Sequence, residues 1–373
     1  MRSFNNTNHI RGLDGLRFIG TFIILFYHIE HGKVLFKIPS IEKYLQIGIG
    51  NSTMTLFFVL SGFLIFYLLL NEKKQSGAIS VKSFYKKRIA RIWPVYYILV
   101  FSSIFFFVNN KWFYIPEVIK QNDDYYGLVW IYLLHMPNFN IFFSSALVAV
   151  GHLWSLGVEE QFYAFAPWII KKTKSFVKVF VLIIIIKVIL KLGLAFSYRV
   201  LTLPIETVQL LKSIEHFLFK LRFEAFALGG IAAYVIVENK ERVLKFVYLL
   251  NVQRINIILL IFTISLGMIS ESIQVLYTFN FAIIILNIVG NTKSVFVLDY
   301  KLTNYIGSIS YGIYMYQIPI IFLLLNVLKP YYSSENALEW NFIYYITSIL
   351  LPIIISAISY ELIEKKIIRW SHH

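Results

Sequence analysis

Stretches of about twenty mostly apolar residues, each long enough to cross the hydrocarbon core of a bilayer, recur along the whole chain. They fall at roughly 13–31, 53–71, 90–108, 126–145, 153–170, 175–197, 216–237, 248–269, 273–290, 304–326 and 341–361. No water reaches backbone groups at that depth, so such a chain is confined to helices that satisfy their own N–H and C=O groups. Composition agrees: 58% of the 373 residues are hydrophobic and only 15% charged, against about 25% charged in an average soluble domain. A disordered or largely water-exposed chain is excluded. The absence of cysteine excludes a disulfide framework, a thiolate metal site and a cysteine nucleophile. A net charge of +15 in so apolar a chain points to loops lying against anionic lipid headgroups, not to nucleic acid.

Charge placement sets the expected topology. The stretch at 126–145 is the weakest, because His135, Pro137, Asn138 and Asn140 would be costly to bury without partners. If it does not cross, and the N-terminus is cytoplasmic, the cytoplasmic loops hold nearly all the dense basic clusters. These are Lys73, Lys74, Lys82, Lys86, Lys87, Arg88 and Arg91, then Lys171, Lys172 and Lys174, then Lys240, Arg242 and Lys245, then Lys365, Lys366 and Arg369. Only scattered cations such as Lys33, Lys111 and Lys329 fall outside. The positive-inside rule therefore favours an all-α integral membrane protein of about ten spans with both termini cytoplasmic. Residues 109–151 become an outer loop with a re-entrant or interfacial helix. Residues 1–373 read as one transmembrane domain with no fused soluble domain. The first apolar run carries Asp14, Arg17 and His28 and lacks a small-residue cleavage site, so it is expected to remain as the first span.

Several polar residues interrupt the apolar stretches. At about 100° per residue, Asp14, Arg17, Thr21 and His28 share one face of the first span. An Asp14–Arg17 pair snorkelling at the inner surface would account for those two alone. His28, about 16 Å further along the axis, lies too deep for that, and an intramembrane ionisable group by default marks a site or pathway. Arg88 and Arg91, three apart, share a helical face that suits phosphate. Basic residues at a cytoplasmic helix start are also ordinary topology.

The fifth stretch begins GHLWSLGVEEQFYAFAPW, placing Glu159 and Glu160 with His152 and Gln161 beside them. Adjacent helical residues point about 100° apart, so at most one of the two carboxylates faces a given partner. A carboxylate that orients an imidazole makes a general base. Arg222 and Glu224 read as an internal ion pair or a substrate contact, and Gly229–Gly230 as a site of close helix packing. Lys187 and Lys191 share a face that could neutralise an anionic substrate or line a polar gap. Ser61, beside Gly62 in FFVLSGFLI, reads as packing, since no base is adjacent in sequence.

No GxSxG elbow, Walker loop, HExxH or dinucleotide fingerprint occurs, which argues against serine-triad hydrolysis, ATP coupling, zinc chemistry and nicotinamide binding. A transporter or flippase for a glycan or lipid-linked sugar, with His28 and Glu160 as a proton relay, would show a similar polar stripe. It would not need paired arginines at its cytoplasmic mouth, and no inverted repeat with broken helices is visible.

The ordered set LDGLR followed by His28, FFVLSGFLI, KRIARIWPVYY, HLWSLGVEEQFY, RFEAFALGG, ISYGIYMYQIP and SYELIEKK resembles the acyltransferase 3 family of bacterial membrane acyltransferases. The resemblance runs from about residue 10 to 368. It implies a multi-pass protein of the bacterial inner membrane that moves an acyl group, most often acetyl, from cytoplasmic acyl-CoA to a hydroxyl of a cell-surface glycan or its lipid-linked precursor. No metal is implied.

By the same resemblance His28 is the catalytic residue, with Arg17 and Asp14 in the catalytic set; the motif glutamate maps to Glu159 or Glu160, and motif position favours Glu160 for that set. Arg88 and Arg91 contact the CoA donor, and Glu159, Arg222 and Trp154 contact substrate. One departure is Gln317, which stands in YMYQIP where many members have histidine. Many longer relatives carry a fused extracytoplasmic hydrolase-like domain. Without one, either the bundle completes the transfer or a separate extracytoplasmic partner does.

Overall fold

The computed structural model describes residues 10, 12–44, 49–114, 125–143, 146–173, 175–267 and 274–371. Lys174 and residues 115–124 of the expected outer loop lie outside them. Among the described residues the regular structure is entirely helical. The first half of the chain forms α1 (Leu13–Leu35), α2 (Ile49–Ser76), α3 (Val81–Phe105), α4 (Tyr125–Leu133), α5 (Trp154–Lys172), α6 (Phe176–Val200) and α7 (Ile205–Leu221). The second half forms α8 (Phe223–Val237), α9 (Glu241–Val247), α10 (Leu250–Gly267), α11 (Gln274–Gly290), α12 (Lys301–Ser308), α13 (Ser310–Leu328), α14 (Ala337–Ser359) and α15 (Lys365–Ser371).

Among the described residues six helical segments are long and apolar enough to cross a membrane: α1, α2, α6, Val81–Asn109 built on α3, Ser310–Tyr331 built on α13, and Ala337–Ser371 from α14 onward. The pair α9 and α10, bent by 68°, makes a seventh if counted as one span. The stretch at 126–145 is not one helix. It is the nine-residue α4 followed by a 3-10 turn over Pro137–Phe142, and nine helical residues reach only about 14 Å.

The expected span at 216–237 is also split. Arg222 adopts a left-handed conformation, φ 45° and ψ 34°, which ends α7 and starts α8 in a new direction. α7 has no buried residue, and its Phe217 packs on Phe139 and Phe142 of the 3-10 turn. α6 buries only Phe180, while Leu182, Ile185, Ile186, Ile189 and Leu192 are exposed. That pattern suits a helix immersed in lipid.

α2 is the centre of the bundle, touching α1, α5, α8 and α11. Its approach to α8 is set by missing side chains. A Cβ on Gly62 would fall 2.3 Å from the Phe226 carbonyl oxygen, and one on Gly229 would fall 2.1 Å from that of Val59. This is backbone-to-backbone packing through small residues.

The basic clusters gather at one end. Lys73 Nζ donates to the Ile170 carbonyl at 2.7 Å and Lys74 Nζ to the Val237 carbonyl at 2.8 Å. The C-terminal ends of α2, α5 and α8 therefore meet, and the lysines satisfy carbonyls that a helix end leaves unpaired. Lys86, near the start of α3, lies 4.9 Å from the Trp370 ring of α15. At the far end of α1, Glu30 accepts from Lys33 Nζ at 3.2 Å and from Ser40 Oγ and the Ile41 N–H at 2.8 Å, and also from the Tyr345 hydroxyl.

Candidate active site

Five helices, α1, α2, α3, α5 and α13, close on a cavity of about 130 Å³. α2 presents Met54, Phe57, Ser61 and Leu64, spaced three and four apart, so that one helical stripe lines the space. α3 presents Arg88, Arg91 and Ile92, and α5 presents Ser155, Glu159 and Tyr163. Arg17 of α1 enters from a third side, and Ser310, Tyr311 and Tyr314 of α13 complete the wall.

Three guanidinium groups thus converge. Arg17 is ion-paired with Asp14, itself buried beneath α12. A Cβ on Gly307 of α12 would lie 2.0 Å from the Asp14 carbonyl oxygen. Arg88 packs its guanidinium 5.9 Å from the rings of Phe84 and Tyr163. Neither Arg88 nor Arg91 makes a hydrogen bond or ion pair among the described residues. Half-buried cations without partners are unfavourable unless an anion joins them. Such a cluster can grip phosphate or stabilise a developing oxyanion.

Beside Arg88 a polar chain crosses from α2 to α5. Tyr163 O–H donates to Glu159 Oε2 at 2.6 Å, and Ser61 Oγ is bonded to the Tyr163 oxygen. The tyrosine has one proton and gives it to the carboxylate, so Ser61 is the donor in the second bond.

His28 does not line the cavity. It is half-buried, its Nδ1 has no partner, and the Gln317 side chain lies beside it. Its ring centroid is 6.4 Å from that of His152. His152 Nε2 donates to the Met315 carbonyl at 3.2 Å. That carbonyl is available because Pro319, four residues on in α13, has no N–H to bond it. The same bond fixes the His152 tautomer and leaves its Nδ1 as an unpartnered acceptor. Tyr314 joins this pair to the cavity: its hydroxyl donates to the His152 carbonyl at 2.7 Å and is bonded to Ser155 Oγ at 2.8 Å.

The remaining expected site residues are dispersed. Glu160 faces away from the cavity, accepting from Trp93 Nε1 at 3.4 Å with its Oε1 buried and unpartnered. Trp93 stacks on His135, which also stacks on Tyr96 at 4.1 Å. Burial in this aromatic surround pushes the His135 imidazole down to about 4, so it is neutral. Arg222 is buried outside the cavity and anchors the start of α2, with Nη1 donating to the Asn51 carbonyl at 2.7 Å and Nη2 to Asn51 Oδ1 at 3.0 Å. Glu224 pairs with Lys187 across α6 and α8. Trp154 packs edge-on to Phe58 under Lys220.

Sequence reasoning took Ser61 as a packing residue and did not single out Tyr163, Ser155, Tyr311 or Tyr314. The available signals were the four-residue step from Glu159 to Tyr163 and the proline in YMYQIP.

No solved structure matches the chain. Among curated proteins it is 27% identical to O-acetyltransferase OatA of Staphylococcus aureus (strain NCTC 8325 / PS 47), over 96% of this chain and 57% of that protein. It is likewise 27% identical to a putative O-acetyltransferase of Staphylococcus aureus (strain COL), over 97% of this chain and 58% of that protein. The chain therefore spans little more than half the length of these relatives. The family model described as an acyltransferase domain matches residues 10–359. With nearly the whole chain matched, this multi-helix protein belongs to the acyltransferase 3 family.

Proposed function

We propose that the protein is a membrane O-acyltransferase that takes an acetyl group from cytoplasmic acetyl-CoA and passes it to a hydroxyl of a cell-surface glycan or its lipid-linked precursor. The observation that carries this reading is the meeting of Arg88 and Arg91, neither hydrogen-bonded nor ion-paired among the described residues, with Arg17 at one cavity. A site where three guanidinium groups meet, only Arg17 of them ion-paired among the described residues, favours a phosphate-bearing donor. Arg88 and Arg91 hold the donor's phosphates, and the cavity takes its thioester end. His28 acts as general base toward the acceptor hydroxyl, with His152 and Tyr314 connecting it to the cavity. Glu159 lines the cavity as the acceptor for Tyr163, and Glu160, Asp14, Arg222 and Trp154 serve as charged and aromatic framework around it.

The topology that fits this chemistry is ten spans in the bacterial inner membrane: α1, α2, α3, α5, α6, α8, α10, α11, α13 and α14, with both termini cytoplasmic. The joined basic ends of α2, α5 and α8 favour one cytoplasmic face. α4 and the 3-10 turn after it belong to the outer loop. The partner proposed to receive or complete the transfer is a separate extracytoplasmic protein.

The test is donor binding. Purified protein in lipid nanodiscs is titrated with acetyl-CoA and with acetyl-pantetheine, which keeps the thioester and lacks the phosphates. Acetyl-pantetheine should bind at least about tenfold more weakly, the equivalent of about 1.4 kcal/mol, and Arg88→Ala should remove the difference. Equal affinities for the two thioesters contradict the phosphate-bearing donor.

A further inference from the structure

We propose that Ser61 is a covalent way-station for the acyl group, with Tyr163 and Glu159 as its proton acceptor system. The proposal rests on the reading that the cavity takes an acyl thioester. Ser61 lies midway along α2, with its hydroxyl bonded to the Tyr163 phenol at 2.5 Å and the phenol bonded to Glu159 at 2.6 Å. A nucleophile within hydrogen-bond reach of a base, with that base oriented by a third group, is the arrangement that activates hydroxyls for acyl transfer. Every member of this chain lines the cavity, and Arg88 flanks the Tyr163 ring at 5.9 Å.

A second observation asks for an intermediate. His28, the expected base for the acceptor, is not in the cavity wall; Tyr314, which is in it, bonds Ser155 Oγ and the carbonyl of His152, whose ring lies beside that of His28. A thioester held by the arginines and an acceptor attended by His28 therefore approach from different sides, and an acyl group kept on Ser61 lets CoA leave before the acceptor enters. Acylation of Ser61 divides one transfer into two steps.

In the first step Ser61 Oγ attacks the thioester carbonyl. The Oγ–C bond forms, and the C–S bond breaks with its electron pair leaving on sulfur. The Ser61 proton passes to the Tyr163 oxygen as the Tyr163 proton passes to Glu159. In the second step the acceptor hydroxyl attacks the acyl-serine carbonyl and gives its proton to His28. The departing Ser61 oxygen recovers a proton along Glu159 and Tyr163. The proton on His28 is released and balances the CoA thiolate as thiol. The guanidinium groups stabilise the oxyanion of the first step.

The experiment exposes protein in nanodiscs to acetyl-CoA labelled in the acetyl group, without acceptor, and quenches in acid within milliseconds to seconds. Wild type should carry label that survives denaturation and is released by hydroxylamine or mild base. Peptide mapping should place it on Ser61. Ser61→Ala should carry none while still binding acetyl-CoA, which shows that the cavity is intact. Tyr163→Phe should acylate about 10²-fold more slowly. A wild type that turns over acetyl-CoA but carries no label, or a Ser61→Ala variant that turns over at the wild-type rate, overturns the covalent step. A wild type that binds no acetyl-CoA overturns the donor reading, and the covalent step with it.

Discussion

Glu159 and Glu160 are neighbours in sequence but serve different surroundings: Glu159 accepts from Tyr163 at the cavity wall, whereas Glu160 accepts from Trp93 on another face of α5. The separation follows from the rotation of about 100° between successive helical residues. Glu159→Gln should lower the rate of donor consumption about 10²-fold, since an amide cannot take the proton from Tyr163. Glu160→Gln keeps an oxygen for Trp93 and should cost less than about tenfold. Parallel steady-state rates on the two variants check this. The reverse order would place the chemistry on the Trp93 side.

Arg88 and Arg91 should not tolerate lysine. An ammonium is a compact point charge, whereas guanidinium offers a planar fork that matches phosphate. Arg88→Lys and Arg91→Lys are expected to raise KM for acetyl-CoA with little change in kcat, which is the signature of lost uniform binding. Donor affinity of the wild type should fall as salt rises. A salt-independent affinity would remove phosphate from the account.

The α2–α8 contact makes a stability prediction. The positions of Gly62 and Gly229 leave no room for a side chain, with carbonyl oxygens 2.3 and 2.1 Å from an added Cβ. Gly229→Leu must push the helices apart, and overpacking of this kind typically costs about 1–3 kcal/mol. A lower Tm in detergent, measured by thermal unfolding followed through size-exclusion, is the expected result. Gly77, with no atom within 4 Å of an added Cβ but φ +74°, should cost less on substitution by Asn, which tolerates that backbone.

The bond from His152 to Met315 depends on Pro319. Pro319→Ala restores an N–H that competes for the Met315 carbonyl, so His152 loses its fixed tautomer. The expected outcome is a fall in kcat with Tm held or raised. Ring-nitrogen NMR of labelled histidine, recorded with and without the proline, reads the tautomer directly.

Much of the bundle was legible in the sequence. Hydropathy located most helices, and the polar content of 126–145, with His135, Pro137 and Asn138, marked a stretch that forms only a short helix and a turn. The break at Arg222 was not legible, because a left-handed arginine between apolar runs leaves no compositional trace. At the site, Arg17, Arg88 and Arg91 were visible as intramembrane or helix-start charges. Ser61 was not, because its partner Tyr163 lies 102 residues away and only the packing of α2 on α5 brings them together. The fate of Arg222 was hidden for the same reason: Asn51 and Thr55, which hold it, belong to a helix far earlier in the chain.

The central claim, that this bundle draws an acyl group from a phosphate-bearing thioester at the arginine cavity, has a direct measurement. The chain contains no cysteine, so any free thiol that appears when purified protein meets acetyl-CoA comes from the donor alone. Thiol release is followed with a colorimetric thiol reagent, wild type beside a variant in which Arg88 and Arg91 are both glutamine. The account expects release by wild type, faster when acceptor glycan is supplied, and loss of at least about 10²-fold in the variant. Release at the same rate from both proteins would contradict it.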